Sequence, residues 1–330
     1  MVLKNRNFQT NEQLVKKDNG EKKKKRRLLV LVLLLSTTLI SSFLWSQSKI
    51  TSFLKTLFKP ATYHIVKPYS EELEQVLGVE VNIDSAKDLI NSVLMLTDNL
   101  AGVYGLYFYN LETGETVVIN ENQSFTAASV NKVPIMVNFY QEVENERLDE
   151  DEIYSLKKAD VQAYGTGQMR YQKLGTRYTY SDLFELSGKF SDNTAAYVLL
   201  QLIGVGKIQN RLNNLKMDNT SIKENTTTPK DMGSYFVKLY QDKLINSKNK
   251  EKVLTALTDT EFEERIPKYL PDNIRVAHKI GNEVNTYNDC GIIFGSPDYV
   301  LCLLTKDVKQ DEALVVLPKI SFLLWQYVIK

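Results

Sequence analysis

Histidine and cysteine are scarce: the chain holds only His64, His278, Cys290 and Cys302. That leaves too little material for a zinc cluster of the usual spacings, and no metal or other cofactor is expected. Charge is absent from the run Leu28–Ser46, LLVLVLLLSTTLISSFLWS. No A-x-A-like cleavage site follows that run, and no cysteine stands near it to carry a lipid. A G-x-S-x-G elbow is missing as well, which removes the usual signature of an esterase. There is no internal repeat. The two cysteines sit in the apolar runs DCGIIF and YVLCLL on either side of Gly295, Ser296 and Pro297. These runs read as hairpin strands, and two readings stay open: thiols paired across the hairpin, or two small buried hydrophobes.

A formal net charge of +1 conceals an asymmetry. Residues 1–27 carry ten Lys or Arg against three acids, residues 47–70 add four lysines, and residues 71–330 carry 27 bases and 37 acids. An acidic globular part argues against nucleic acid as the main partner. The basic cluster Lys22–Arg27 directly precedes the uncharged run, whose nineteen residues span roughly 28 Å, the thickness of a bilayer core. The sequence therefore predicts a cytoplasmic tail (1–27), a single-pass transmembrane signal anchor (28–46), a basic linker (47–70) and an extracytoplasmic domain (71–330). A cleaved signal peptide fits less well, because the apolar run is long for an h-region.

Within 71–330, Asp84-Ser85 precedes the apolar-periodic stretch AKDLINSVLMLTDNL, a helix. Gly102–Leu111 and Thr116–Asn120 read as a hairpin about Glu112-Thr113-Gly114-Glu115. A buried helix follows near Ser129, and residues 148–215 read as helices with polar loops. Strands at Ile274–Ile280, Cys290–Phe294 and Tyr299–Leu304, then a helix at Asp311–Ile329, complete the pattern. This is an α+β architecture whose antiparallel sheet draws on both ends of the chain, with an all-helical subdomain inserted.

S-x-x-K occurs five times, at Ser46/Lys49, Ser52/Lys55, Ser129/Lys132, Ser155/Lys158 and Ser247/Lys250. Only Ser129 stands between a small-residue run, Thr126-Ala127-Ala128, and a strongly apolar helix. A helix N-terminus offers N–H groups to an oxyanion, and the three-residue spacing puts Lys132 on the same face. Burial beside Val133, Ile135 and Met136 would favour a neutral amine able to take the serine proton. Ser191-Asp192-Asn193 precedes a second apolar helix, and Lys279-Ile280-Gly281 lies on a β-rich run.

Ser129-x-x-Lys132, Ser191-Asp192-Asn193 and Lys279-Ile280-Gly281, in this order and spacing, resemble the class A β-lactamases and the related penicillin-binding D,D-peptidases over about residues 85–330. The segment Thr226–Met232, TTTPKDM, and Tyr287-Asn288-Asp289 extend the resemblance. It implies a β-lactamase-like sheet beside a helical region, with the site between them. It also implies Ser129 as the acylated nucleophile, Lys132 as its activator and Ser191 as the relay to the leaving nitrogen. Asn193 would bind the substrate's amide side chain and Lys279 its carboxylate. The backbone N–H groups of Ser129 and Asn282 would form the oxyanion hole, and Gly281 would let the ligand approach the backbone. The implied partners are β-lactams or D-Ala-D-Ala stem peptides of peptidoglycan.

Two departures stand out. Ile280 replaces the usual Thr or Ser, which removes a hydroxyl donor, so carboxylate recognition is expected either to weaken or to move to Asn282 or Asn285. No E-x-x-L-N occurs, and Glu224 is the only glutamate in residues 194–225. Glu224 could serve as a deacylation base if the short loop folds inward and is otherwise an exposed loop acid, and Asp218 is a weaker candidate, so slow release of the acyl group is expected. The rival reading is a non-catalytic cell-wall binding or sensing module that keeps the fold.

Overall fold

The computed structural model describes residues 75–78 and 83–330. The tail (1–27), the apolar run (28–46), the linker (47–70) and the start of the domain at 71 lie outside the described residues. Among the described residues no helix is long and apolar enough to cross a membrane.

Helix α1 (Ala86–Thr97) is capped by Ser85, whose hydroxyl accepts from Asp88 N at 3.2 Å. Strands β1 (Val103–Asn110) and β2 (Thr116–Ile119) form the first hairpin. The last third supplies β7 (Arg275–Glu283), β8 (Thr286–Phe294) and β9 (Tyr299–Lys306), followed by helix α8 (Gln310–Val328). These strands make one five-stranded antiparallel sheet in the order β2-β1-β9-β8-β7. The first and last parts of the chain therefore meet at the sheet centre, where Val103 stands opposite Lys306.

Strand β9 explains the layers. Its residues alternate between two apolar cores: Tyr299, Leu301 and Leu303 face one, Val300, Cys302 and Leu304 the other. The first core lies under α1 and α8 and includes Leu89, Val93, Leu317 and Leu324. The second lies under the central region. The period-two alternation is that of a strand buried on both faces. Cys290 and Cys302 are directly opposite in β8 and β9 and are joined as a disulfide, so the paired reading holds.

The central region contains α2 (Lys132–Glu144), α3 (Tyr180–Lys189), α4 (Asn193–Ile203), α5 (Val205–Asn214), α6 (Pro229–Tyr240) and α7 (Ser247–Ala256). It is not all helical, which corrects the expectation. Strand β4 (Ile153–Ser155) pairs with β5 (Arg177–Thr179), and β3 (Phe125–Thr126) pairs with β6 (Thr226–Thr227). Both ladders close polar loops whose backbone groups would otherwise lack partners. Thr228 caps α6 by accepting from Asp231 N at 3.1 Å, with Pro229 in the first turn.

One buried charge fixes the far side of α2. The Glu142 carboxylate is gripped by Arg147 Nε at 2.6 Å, Lys207 Nζ at 2.9 Å and Arg211. Arg211 also donates to Asn138 Oδ1 at 2.7 Å, which ties α2 to α5.

Candidate active site

Ser129 sits in a 3-10 turn, Ala128–Asn131, that runs directly into α2. Ala128 before it has φ +50°, and the facing Ser191 and Asn225 have φ +52° each. Non-glycine residues adopt this left-handed region at a cost, so surrounding bonds must hold them there. Ala127 N donates to Asn225 O at 2.8 Å, and Asn131 Nδ2 donates to Asn225 Oδ1 at 3.0 Å. The short segment 221–225 is thereby stapled to the nucleophile turn.

The Lys132 side chain is buried, and its amine faces the turn before α4. It donates to the Ser191 carbonyl, approaches Ser191 Oγ at 3.1 Å and donates to Asn193 Oδ1 at 2.7 Å. Burial holds the Lys132 amine well below the ordinary lysine range, and the nearby Lys279 charge adds to this while Asp192 opposes it. Asn193 has both ends of its amide engaged, since Nδ2 donates to Tyr164 O at 3.0 Å. Asp192 caps α4 through Ala195 N at 3.0 Å.

Strand β7 forms the opposite wall at the free edge of the sheet. A Cβ on Gly281 would come within 2.6 Å of the Ala127 carbonyl oxygen, so glycine lets β7 press against the nucleophile turn. The protein's own backbone is thus reason enough for glycine here. Lys279 is buried behind this wall, with Nζ 5.8 Å from the Phe262 ring centre. Burial pushes Lys279 down to about 7, against the pull of Asp289 and with help from Arg265. The neighbouring His278 is enclosed by Asp289 Oδ1 at 2.8 Å and Glu263 Oε1 at 3.2 Å. Burial alone would lower this imidazole, but the two carboxylates raise it to about 9.

A cleft of about 380 Å³ brings Ser129, Lys132, Ser191, Asn193, Ile280 and Asn282 together. The three sequence motifs thus converge on one cavity beside Ser129, whose turn leads into the buried helix α2. Residues 85–328 match the β-lactamase enzyme family. This chain belongs to that family. It is a serine hydrolase of the β-lactamase type. The β-lactamase VEB-1 of Pseudomonas aeruginosa is 25% identical, over 57% of this chain and 72% of that protein. The solved structure of PBP-A is 25% identical with a TM-score of 0.69, covering 72% of this chain and 95% of PBP-A. A β-lactamase from Sphaerobacter thermophilus shares the fold at 24% identity and a TM-score of 0.69, covering 73% of this chain and 97% of that one.

Among the described residues, Glu283 at the end of β7 is the only carboxylate on the cleft lining. Glu224 is exposed and pairs with Lys223 at 3.3 Å, and Asp218 is exposed. Asn285 occupies the β7–β8 hairpin tip with φ +52°, its carbonyl accepting from Val308 N at 3.1 Å.

Two residues here, Arg265 and Thr166, had no sequence reading. Arg265, almost fully buried, donates to Asn282 Oδ1 and, at 2.6 Å, to Asn288 O. Thr166 donates to the Ser191 carbonyl at 2.7 Å. A Gly-Thr-Gly triplet inside a polar loop was the only available signal for Thr166. Arg265 gave none, standing at the end of the acidic stretch EFEER.

Proposed function

We propose that this chain is a membrane-anchored, extracytoplasmic hydrolase whose Ser129 is acylated by β-lactams or D-Ala-D-Ala peptides and which releases the acyl group slowly. The observation that carries this reading is the Lys132 amine. It is buried, held below its ordinary range, and set between Ser191 and Asn193 in the cleft that Ser129 lines.

In this mechanism Ser129 Oγ attacks the carbonyl carbon and its proton passes to the neutral Lys132 amine. The backbone N–H groups of Ser129 and Asn282 stabilise the oxyanion. As the carbon–nitrogen bond breaks, the Ser191 hydroxyl delivers a proton to the leaving nitrogen, replenished from Lys132. Lys279 supplies positive charge behind the carboxylate site. With Arg265 on its oxygen, the Asn282 amide presents N–H groups that replace the hydroxyl missing at Ile280. Asn193 takes the substrate's amide side chain through its remaining hydrogen-bond capacity.

Slow release is supported by the exposed position of the candidate base Glu224. Hydrolysis of the acyl-serine needs a base and a placed water, and Glu224 points to solvent beside Lys223. The anchor and topology rest on the Lys22–Arg27 cluster and the uncharged Leu28–Ser46 run.

A labelled penicillin should tag the wild type and not Ser129→Ala, with a burst of about one equivalent before slow turnover with a chromogenic cephalosporin. Equal tagging of both proteins would sink the assignment. Absence of any tag would favour the rival binding module, for which the apolar Ile280 speaks.

A further inference from the structure

Residues 164–169 wrap closely around Ser191-Asp192-Asn193. Gly165 and Gly167 have φ +72° and +110°, and a Cβ on either would come within 2.1 Å of Asn193 Nδ2 or 2.2 Å of Asp192 Oδ2. Between them, Thr166 makes two bonds that straddle Asp192. Its hydroxyl donates to Ser191 O at 2.7 Å, and its carbonyl accepts from Asn193 N at 3.1 Å. Met169 N completes the clasp on Asp192 Oδ2 at 2.9 Å.

The hydrogen bonds of the Lys132 amine all lead to the two residues that Thr166 holds. They go to the Ser191 carbonyl, Ser191 Oγ and Asn193 Oδ1. The carbonyl has two acceptor sites, one occupied by the Thr166 hydroxyl and the other by Lys132. We infer that Thr166 is a positioning residue for acylation: its hydroxyl holds the left-handed Ser191 in place and shares its carbonyl with Lys132, fixing how amine and relay hydroxyl stand toward Ser129. This inference rests on the acyl-serine reading above.

Chemistry gives the role a direction. An ammonium group has three donors, whereas a neutral amine has two and a lone pair. Without the Thr166 hydroxyl the Ser191 carbonyl becomes a better acceptor for Lys132 and favours the ammonium. The charged groups facing Lys132, Lys279 from β7 and Asp192 from the turn before α4, stay the same in such a variant.

The test uses the full-length protein and measures the second-order rate of tagging by labelled penicillin from about pH 5 to about pH 10, with thermal unfolding alongside. Thr166→Val should acylate about tenfold more slowly at neutral pH, the order of effect of one lost hydrogen bond. Its rising limb should move to higher pH, and Thr166→Ser should restore both rate and limb. Thr166→Ala provides the same comparison if valine prevents folding. A wild-type rate and limb in the hydroxyl-free variants would overturn the inference. So would a loss that tracks unfolding with no shift in pH, or Thr166→Ser behaving like valine. If Ser129→Ala tags as well as the wild type, the acyl-serine reading itself fails; if only the wild type tags and Thr166→Val matches it, the role of Thr166 fails alone.

Discussion

The Arg265 guanidinium donates to the side-chain oxygen of Asn282 and leaves that amide's NH2 as its hydrogen-bonding end. Asn282→Ala removes this donor while keeping the backbone N–H. For a penicillin with a free carboxylate the concentration needed for half-saturation should rise about tenfold, as expected for a hydrogen bond to a charged group. An esterified analogue should be indifferent to the substitution. Equal losses for acid and ester would remove Asn282 from carboxylate recognition.

Ile280 is buried to 3% exposure yet lines the cleft, so Ile280→Thr places a hydroxyl where none exists. Acylation efficiency with carboxylate-bearing substrates should rise about fivefold. An unchanged efficiency in a protein of wild-type stability would mean that the carboxylate does not reach this position.

Lys279 is pushed down to about 7, so it loses its charge as pH rises through neutrality. Lys132 must be neutral to act, which favours higher pH. Acylation efficiency should therefore be bell-shaped, with a falling limb near 7 that belongs to the free enzyme. Lys279→Arg keeps its charge at all accessible pH and should abolish that limb. A falling limb that persists in the arginine variant would assign it to another group.

The first motif, Ser129-x-x-Lys132, was legible because burial of the helix behind it is written in its apolar residues. Most of the sheet was legible for the same reason. The ends of β7 and β8 were not: Asn282, Glu283 and Thr286 extend the hairpin beyond both cores, where pairing rather than apolar pattern sets the strand. The roles of Thr166, marked only by its flanking glycines, and of Arg265 were not legible because their partners lie elsewhere along the chain. The cysteines stayed ambiguous until the register put Cys290 opposite Cys302.

Three cations hold Glu142 down to about 2, with Arg147 the strongest influence. A carboxylate lowered in the fold stabilises above its ordinary range and loses that contribution as pH falls from about 4.5 toward about 2. Glu142→Gln should cost about 2 kcal/mol at neutral pH, a low figure for a buried carboxylate because Arg147 and Lys207 are partly hydrated. The gap between wild type and variant should close on acidification in urea titrations. A gap independent of pH would mean that packing, not charge, is lost.

The Cys290–Cys302 bond closes a loop of sequence separation 12. Its removal in Cys290→Ala/Cys302→Ala should lower stability by about 3 kcal/mol on loop entropy. Penicillin tagging should persist in the folded variant. Thiol titration of unfolded, unreduced wild type should find no reactive cysteine, and two reactive thiols would contradict the bond.

The pairing of β1 with β9 also governs when the molecule can become itself. A ribosome delivers the hairpin of β1 and β2 early, with one edge waiting through the whole central region for a neighbour. That neighbour is made only after the whole central region and strands β7 and β8. The nucleophile turn is then already synthesised, but the wall of β7 that faces it belongs to the same late arrival. Maturation of this hydrolase thus waits on β9, and truncation even shortly before it should leave a nascent chain without its central seam.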